Sequence, residues 1–121
     1  MVKKKVLIID DEVMIRRLMT KLIEEQEAEA VVLESADQLM NTLESSNHFA
    51  MAITDLILPY ISGWEIIKLI RDHSETLPIA VMTGATLSSD EKKKILINAQ
   101  AIVEKNKFNI DEFRLLLKSN L

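Results

Sequence analysis

The segment Val6-Leu-Ile-Ile-Asp-Asp-Glu12 begins as a short apolar run and ends abruptly in three acidic residues. An apolar run of this length, without alternating polar side chains, is typical of a strand buried on both faces of a sheet. Four further short runs of this kind follow, at residues 30–33, 51–53, 79–82 and 101–103. Buried strands separated by long connections indicate a parallel sheet covered by helices.

Amphipathic stretches with helical spacing separate the apolar runs. The first has apolar residues at Ile15, Leu18, Met19, Leu22 and Ile23. Similar stripes occupy 36–43 and 63–70, and less regular ones occupy 91–98 and 110–120. Capping patterns mark four helix starts, at Ser35, Ser62, Ser88 and Asn109. The alternation predicts one α/β domain over residues 1–121, a three-layer (βα)5 doubly wound parallel sheet with the flavodoxin-like strand order 2-1-3-4-5.

The composition of the 121-residue chain excludes several kinds of site. There is no cysteine, so disulfides and thiolate metal sites are impossible, and two isolated histidines do not make a histidine metal site. The net charge of −4 argues against direct binding of nucleic acid. No apolar stretch approaches the roughly 20 residues needed to cross a bilayer. We therefore predict a cytoplasmic protein with no membrane partner.

Polar residues follow four of the five apolar runs. Asp10 and Asp11 follow the first run, Asp55 the third, Thr83 ends the fourth, and Lys105 follows the fifth. In an open parallel sheet the carboxyl ends of the strands form the ligand-binding edge, so we expect these side chains to converge. Two carboxylates 4 Å apart repel by roughly 4 kcal/mol, which a cation would relieve. Oxygen-only ligands favour Mg²⁺ or Mn²⁺.

Each of these residues also has an ordinary structural explanation. Asp11 alone is more typical of a helix N-cap, Asp55 of a strand end, Thr83 of a turn and Lys105 of a solvated surface. Their occurrence together, each after a different strand, favours a site instead. A hard cation, an ammonium and a hydroxyl around one carboxylate are the groups that stabilise phosphoryl transfer.

The chain resembles the response-regulator receiver domains of two-component signalling, and is similar to the single-domain chemotaxis regulators. The resemblance covers residues 4 to about 117. It is carried by the 6–12 segment, Asp55-Leu-Ile-Leu-Pro-Tyr-Ile-Ser-Gly63, Val81-Met-Thr-Gly84, and Lys105 followed by Phe108. The spacing D-x-x-x-P-x-x-x-G, in register with the other pieces, is highly specific.

The resemblance implies a role for each matching residue. Asp55 would accept the phosphoryl group, while Thr83 and Lys105 would contact it. The metal ligands would be Asp11 and Asp55 directly, Asp10 mainly through water, and the Ile57 backbone carbonyl, with Mg²⁺ as the ion. A histidine kinase or histidine phosphotransfer protein would be the donor, and an unidentified effector protein the downstream partner. Such a domain is a switch rather than an enzyme.

Three positions depart from the family pattern. Asn106 replaces the usual proline after Lys105, which favours a trans peptide bond there. Ile102 replaces an aromatic switch residue, and Asn98-Ala99 replaces Gly-Ala at a predicted left-handed turn. The residues expected to accept the phosphoryl group are all present, whereas the residues expected to signal phosphorylation to a partner differ from the usual ones.

Three alternative functions remain open at this point. A constitutive, unphosphorylated interaction module is compatible with Asn106 and Ile102. A Mg²⁺-dependent aspartyl phosphatase would need a second acid two residues after Asp55, where Ile57 stands. A flavin-binding electron carrier would need a phosphate cradle where this chain has acidic residues.

Overall fold

The computed structural model describes residues 3–45, 48–59 and 61–121, so Tyr60 of the quoted motif lies outside the described residues. Five strands and five helices alternate along the described residues. The strands are β1 (Lys5–Ile9), β2 (Glu29–Leu33), β3 (Phe49–Thr54), β4 (Ile79–Thr83) and β5 (Ala101–Glu104). The helices are α1 (Val13–Glu25), α2 (Ala36–Ser45), α3 (Gly63–His73), α4 (Ser89–Asn98) and α5 (Ile110–Asn120). A short 3-10 helix, Lys105–Lys107, follows β5.

The strands form one parallel sheet in the order β2-β1-β3-β4-β5, which confirms the predicted fold class and strand order. At the carboxyl edge of the sheet, Ile9 is opposite both Leu33 of β2 and Thr54 of β3. Thr83 of β4 is opposite Glu104 of β5. This register brings the residues that follow β1 and β3 side by side.

Alternate residues of the strands supply two hydrophobic cores, one on each face of the sheet. Leu7 and Ile9 belong to the core that includes buried residues of α2, α3 and α4. Val6 and Ile8 belong to the core that includes buried residues of α1 and α5. Because both faces are covered, the short strands are apolar through their central residues, and their polar residues lie at the strand ends.

The residues predicted to cap helices lie directly before the first residue of four helices. The side chains of Ser35, Ser62 and Asn109 each accept a hydrogen bond from the backbone N–H three residues later. Ser88 and Glu91 form a complete capping box at α4. In contrast, α1 begins after Glu12 without a side-chain cap, so the N-cap explanation of Asp11 is wrong.

The predicted left-handed turn at Asn98-Ala99 is wrong. Among the residues that the structure describes, Glu27 alone has a positive φ, of 60°. Ala99 ends α4 with a φ of −122°, and its N–H donates to the Ile95 carbonyl. The Asn98 carbonyl accepts a hydrogen bond from Arg71 Nε at 2.9 Å. Since a side chain satisfies this end of the helix, no left-handed residue is needed there.

Candidate functional site

The adjacent ends of β1 and β3 bring three carboxylates together. The Asp55 N–H donates to the carbonyl of Ile9, the last residue of β1, at 3.0 Å, which continues the ladder one residue past the end of β3. Asp10 and Asp55 are buried, at 2% and 4% exposure, whereas Asp11 is exposed. Each of the three offers a carboxylate oxygen, and these oxygens all lie within 4.8 Å of one another. The predicted convergence of Asp10, Asp11 and Asp55 is therefore observed.

The carboxylate of Asp10 is buried and only partly hydrogen-bonded. Its Oδ1 accepts a hydrogen bond from the Glu12 N–H at 2.8 Å. Its buried Oδ2 accepts no hydrogen bond in the described part of the chain, although Lys105 Nζ lies 2.9 Å away as an ion-pair partner. Burial raises the pKa of Asp10, while the Glu12 N–H and the Lys105 ammonium oppose that shift. A buried carboxylate oxygen with unused acceptor capacity fits a cation site.

Lys105 lies inside the cluster, because the turn after β5 directs its side chain back over the sheet edge. The side chain is only 9% exposed, and Nζ lies 2.8 Å from Asp55 Oδ2 and 2.6 Å from Glu12 Oε1. Burial opposes the charged form, but the hydrogen bonds to Asp55 and Glu12 and the negative charge of Asp10 outweigh it and raise the pKa of Lys105. The explanation of Lys105 as a solvated surface lysine is thus wrong.

Both carboxylate oxygens of Asp55 have partners. Oδ2 accepts from Lys105, and Oδ1 accepts from the Ile57 N–H at 3.2 Å. The loop after Asp55 is held by a β-bridge between Ile57 and Ser62 and by a hydrogen bond from the Gly63 N–H to the Leu56 carbonyl at 2.8 Å. These contacts orient the side chain of Asp55 toward the cluster.

Thr83 is fully buried at the end of β4. Its hydroxyl oxygen accepts a hydrogen bond from the Ala85 N–H at 3.1 Å, so the hydroxyl hydrogen is free to be donated elsewhere. The turn explanation and the site explanation of Thr83 are therefore compatible. No contact described for Thr83 joins it to the three carboxylates.

The departures at Asn106 and Ile102 have simple structural consequences. The described residues contain no cis peptide bond, which confirms the trans link after Lys105. Ile102 is half-buried and packs against the core on the α2–α4 face of the sheet. An aliphatic side chain in that position fills space in the core and offers no hydrogen-bonding group.

Glu12 also belongs to the site through its contact with Lys105, although the sequence alone indicated no role for it. A third acidic residue directly after Asp10 and Asp11 was the available signal. Its contact with Lys105 joins residues 93 positions apart, which no local pattern reports.

The donor set fits a hard divalent cation. The carboxylates of Asp10, Asp11 and Asp55 are oxygen ligands only, and the buried Oδ2 of Asp10 has acceptor capacity to spare. Nitrogen and sulfur ligands, which Zn²⁺ prefers, are missing from the cluster.

Comparison with known proteins then decides the family. The family model for the response regulator receiver domain matches residues 6–118. The chain belongs to the response regulator receiver family. The chemotaxis protein CheV2 of Helicobacter pylori is 27% identical over 122 residues, covering 98% of this chain and 39% of that protein. The heme response regulator HssR of Staphylococcus saprophyticus is 28% identical over 115 residues, covering 95% of this chain and 50% of that protein. This chain thus spans half or less of the length of these curated relatives.

Solved receiver structures share the fold over nearly the whole chain. The response regulator TrrA of Thermotoga maritima, solved in complex with Mg²⁺ and BeF, superposes with a TM-score of 0.81 at 29% identity, covering 98% of this chain and 99% of that one. A CheY-like receiver domain protein from Methanospirillum hungatei gives a TM-score of 0.85 at 22% identity, covering 98% and 93% of the two chains.

The family assignment confirms the predicted class of function. Receiver domains are phosphorylatable modules of two-component systems that are typically not enzymes, and they bind a divalent metal at an acidic cluster. They interact with histidine kinases and with downstream effectors. Within the described residues, no helix is both long and apolar enough to span a membrane.

Proposed function

We propose that Asp55 accepts a phosphoryl group from a histidine kinase or histidine phosphotransfer protein, and that phosphorylation changes the binding of a downstream effector protein. The observation that carries this proposal is the environment of Asp55. It is 4% exposed at the end of a central strand, and its Oδ2 lies 2.8 Å from the Lys105 ammonium. Two further carboxylates lie within 4.8 Å.

The proposed metal ligands are Asp11 and Asp55 directly, Asp10 mainly through water, and the backbone carbonyl of Ile57. Mg²⁺ is the proposed ion and Mn²⁺ the alternative, because the cluster offers oxygen ligands only. The complex of the related TrrA with Mg²⁺ and BeF supports this choice. When bound, the cation supplies positive charge that offsets the charge on the phosphoryl oxygens.

Asp55, Lys105 and Thr83 have different roles in the proposed phosphoryl transfer. An Asp55 carboxylate oxygen attacks phosphorus, the bond from phosphorus to the donor atom breaks, and Asp55 becomes an acyl phosphate. Lys105 already lies at the attacking carboxylate and is positioned to pair with a phosphoryl oxygen. Thr83 retains a hydroxyl hydrogen that it donates to another. Both act as charge-stabilising donors in a largely buried site.

One alternative function is disfavoured by the loop after Asp55. An aspartyl phosphatase places a proton-transferring acid two residues after its nucleophile. Ile57 occupies that position, is 66% exposed and has no proton to give. We therefore propose that residues 1–121 form one receiver domain that acts as a switch rather than as an enzyme, and cytoplasmic location stays a prediction.

Phosphorylation by a small donor tests the acceptor directly. The wild-type protein is incubated with acetyl phosphate and Mg²⁺, and intact-mass spectrometry counts the phosphoryl groups. We expect one group on the wild type and on Asp72→Asn, a matched change at an exposed aspartate of α3, and none on Asp55→Asn. Addition of a chelator is expected to abolish labelling. Equal labelling of wild type and Asp55→Asn would refute the assignment, and a wild type that is never labelled would favour the constitutive interaction module.

A further inference from the structure

Lys105 contacts two carboxylates of the acidic cluster and one carboxylate outside it. Its Nζ lies 2.9 Å from Asp10 Oδ2, 2.8 Å from Asp55 Oδ2 and 2.6 Å from Glu12 Oε1. Asp10 and Asp55 belong to the acidic cluster that fits a cation, whereas Glu12 does not. The ammonium donates hydrogen bonds to Asp55 and Glu12, and Asp10 is its third ion-pair partner.

A bound cation and the Lys105 ammonium would share the carboxylates of Asp10 and Asp55. A divalent cation on the cluster draws on the carboxylates of Asp10 and Asp55, which Lys105 also contacts. Because an ammonium and a divalent cation that contact the same carboxylates repel each other, we expect the ammonium to release part of these contacts when a cation binds. Among the described carboxylates that contact Lys105, Glu12 alone lies outside the cluster.

The backbone of Glu12 is fixed while its carboxylate stays accessible. Its N–H donates to Asp10 Oδ1 at 2.8 Å, and its carbonyl accepts from the Arg16 N–H at 3.0 Å as α1 begins. Its side chain is 56% exposed, compared with 1% for Asp10 and 6% for Asp55. A solvated carboxylate on an anchored backbone holds the ammonium without a large desolvation cost.

We propose that Glu12 is a positioning residue, which would hold the Lys105 ammonium when a divalent cation occupies the acidic cluster. Glu12 thereby keeps Lys105 beside the acceptor and leaves the metal ligands available. Without Glu12, Lys105 has only those ligands as partners, and a cation must displace it from them. The inference rests on the proposed function, since it presupposes that the cluster binds a cation.

Titration with Mg²⁺ alone tests the inference, with the rise in melting temperature as the readout. We expect Glu12→Gln to raise the apparent Kd for Mg²⁺ about two- to fivefold, the range typical of one partly exposed ion pair. Glu104→Gln is the matched control. It removes the same charge next to Lys105 in sequence, but Glu104 pairs with Lys92 and Lys107 instead. We expect its Kd to equal that of the wild type.

The Lys105→Met background separates positioning from simple charge. In that background Glu12→Gln is expected to leave the Kd for Mg²⁺ unchanged, because the residue through which Glu12 acts is gone. Equal weakening in both backgrounds would mean that Glu12 acts by its charge alone, and would overturn the inference. A Kd for Mg²⁺ in the Glu12→Gln single variant equal to that of the wild type would overturn it as well. This holds even if Glu12→Gln lowers the melting temperature of the metal-free protein.

Failure of the inference and failure of the proposed function give different results. A wild type that is labelled by acetyl phosphate and binds Mg²⁺, beside a Glu12→Gln variant with the same Kd, refutes the role of Glu12 alone. A wild type that neither binds Mg²⁺ nor becomes labelled refutes the proposed function, and the role of Glu12 with it.

Discussion

Gly63, the first residue of α3, packs directly against the backbone of Asp55. A Cβ atom at position 63 would overlap the Asp55 carbonyl oxygen and the Leu56 Cα. The Gly63 N–H also donates to the Leu56 carbonyl at 2.8 Å. The start of α3 and the acceptor loop thus form one packed unit, and the absence of a side chain at position 63 makes their close approach possible.

Gly63→Ala is expected to destabilise the protein and to reduce phosphorylation of Asp55. The added methyl group meets backbone atoms, which cannot move aside as a side chain can, and overpacking of this kind costs about 1–3 kcal/mol. Gly84→Ala is the matched control, because its Cβ would meet only Lys105 Cδ, at 3.9 Å. Urea denaturation and phosphoryl labelling measure both effects. Equal stability of the two variants would contradict the overlap.

Mg²⁺ is expected to raise the melting temperature, and Asp11→Asn is expected to remove that rise. A ligand at one hundred times its Kd stabilises the folded state by about 2.7 kcal/mol. Without metal, Asp11→Asn is expected to melt above the wild type, because Asp11 contributes negative charge close to Asp10 and Asp55. Differential scanning fluorimetry checks both expectations, with Asp72→Asn as the control. A wild type indifferent to millimolar Mg²⁺ would count against the metal site.

Ile57→Asn is expected to shorten the lifetime of the phosphorylated protein. Ile57 is 66% exposed next to the acceptor, and its N–H donates to Asp55 Oδ1. Isoleucine cannot orient an attacking water molecule, whereas an amide side chain can hydrogen-bond one, so we expect slow decay in the wild type and severalfold faster decay in the variant. Ile57→Val preserves the apolar, β-branched character and is expected to change little. Decay is followed by mass spectrometry after removal of the donor, and identical rates in all three proteins would show that another step limits hydrolysis.

Arg71→Met is expected to destabilise the fold by about 1–3 kcal/mol, since it leaves buried or half-buried carbonyl groups without a partner. The Arg71 guanidinium donates to the carbonyls of Asn98, Ser74 and Leu77 and to the Gln100 side chain. It therefore joins the ends of α3 and α4 to the loops before β4 and β5. Arg71→Lys is expected to restore little, because one ammonium does not reproduce this planar set of donors.

Arg16→Met is the control for the Arg71 variants. Arg16 makes one long ion pair, at 3.4 Å with Glu34, so its loss is expected to have a much smaller effect. Urea denaturation measures the difference. Similar destabilisation by Arg16→Met and Arg71→Met would show that the backbone contacts of Arg71 contribute little.

The ion pair between Glu25 and Arg114 is expected to stabilise the protein near neutral pH and not in acid. Arg114 donates to both carboxylate oxygens of Glu25, at 2.9 and 3.2 Å, and lowers the pKa of that carboxyl in the folded state. A lowered folded-state pKa means that the stabilisation is complete above the unfolded-state pKa and is lost as pH falls through the folded-state value.

The measurement compares the melting temperatures of wild type and Glu25→Gln at about pH 7 and about pH 3, on either side of the ordinary glutamate pKa. We expect a small deficit for the variant at neutral pH, reduced by salt, and none in acid. Glu24→Gln, at the neighbouring exposed position, is expected to show no such pH-dependent difference. A deficit that persists in acid would mean that the pair is not its cause.

Local sequence determined most of the secondary structure. The apolar runs predicted all five strands, although β3 extends from Phe49 to Thr54 and so exceeds the predicted 51–53. Ser62, Ser88 and Asn109 begin helices because a side chain that caps the backbone N–H three residues later acts over a single turn. The convergence of Asp10, Asp11 and Asp55 also followed, because parallel strands place their carboxyl ends at one edge.

Tertiary structure decided the features that depend on residues distant in the sequence. The contact between Lys105 and Glu12 spans 93 positions, and that between Arg71 and Asn98 spans 27. Asparagine is a residue type that favours left-handed turns, and Asn98 was predicted to form one. Instead, the Asn98 carbonyl accepts a hydrogen bond from Arg71, and the turn is absent. Periodicity and capping patterns report interactions within one helix or strand. The partners of a buried charge or of a free carbonyl are set by the packing of several elements, which only the folded chain specifies.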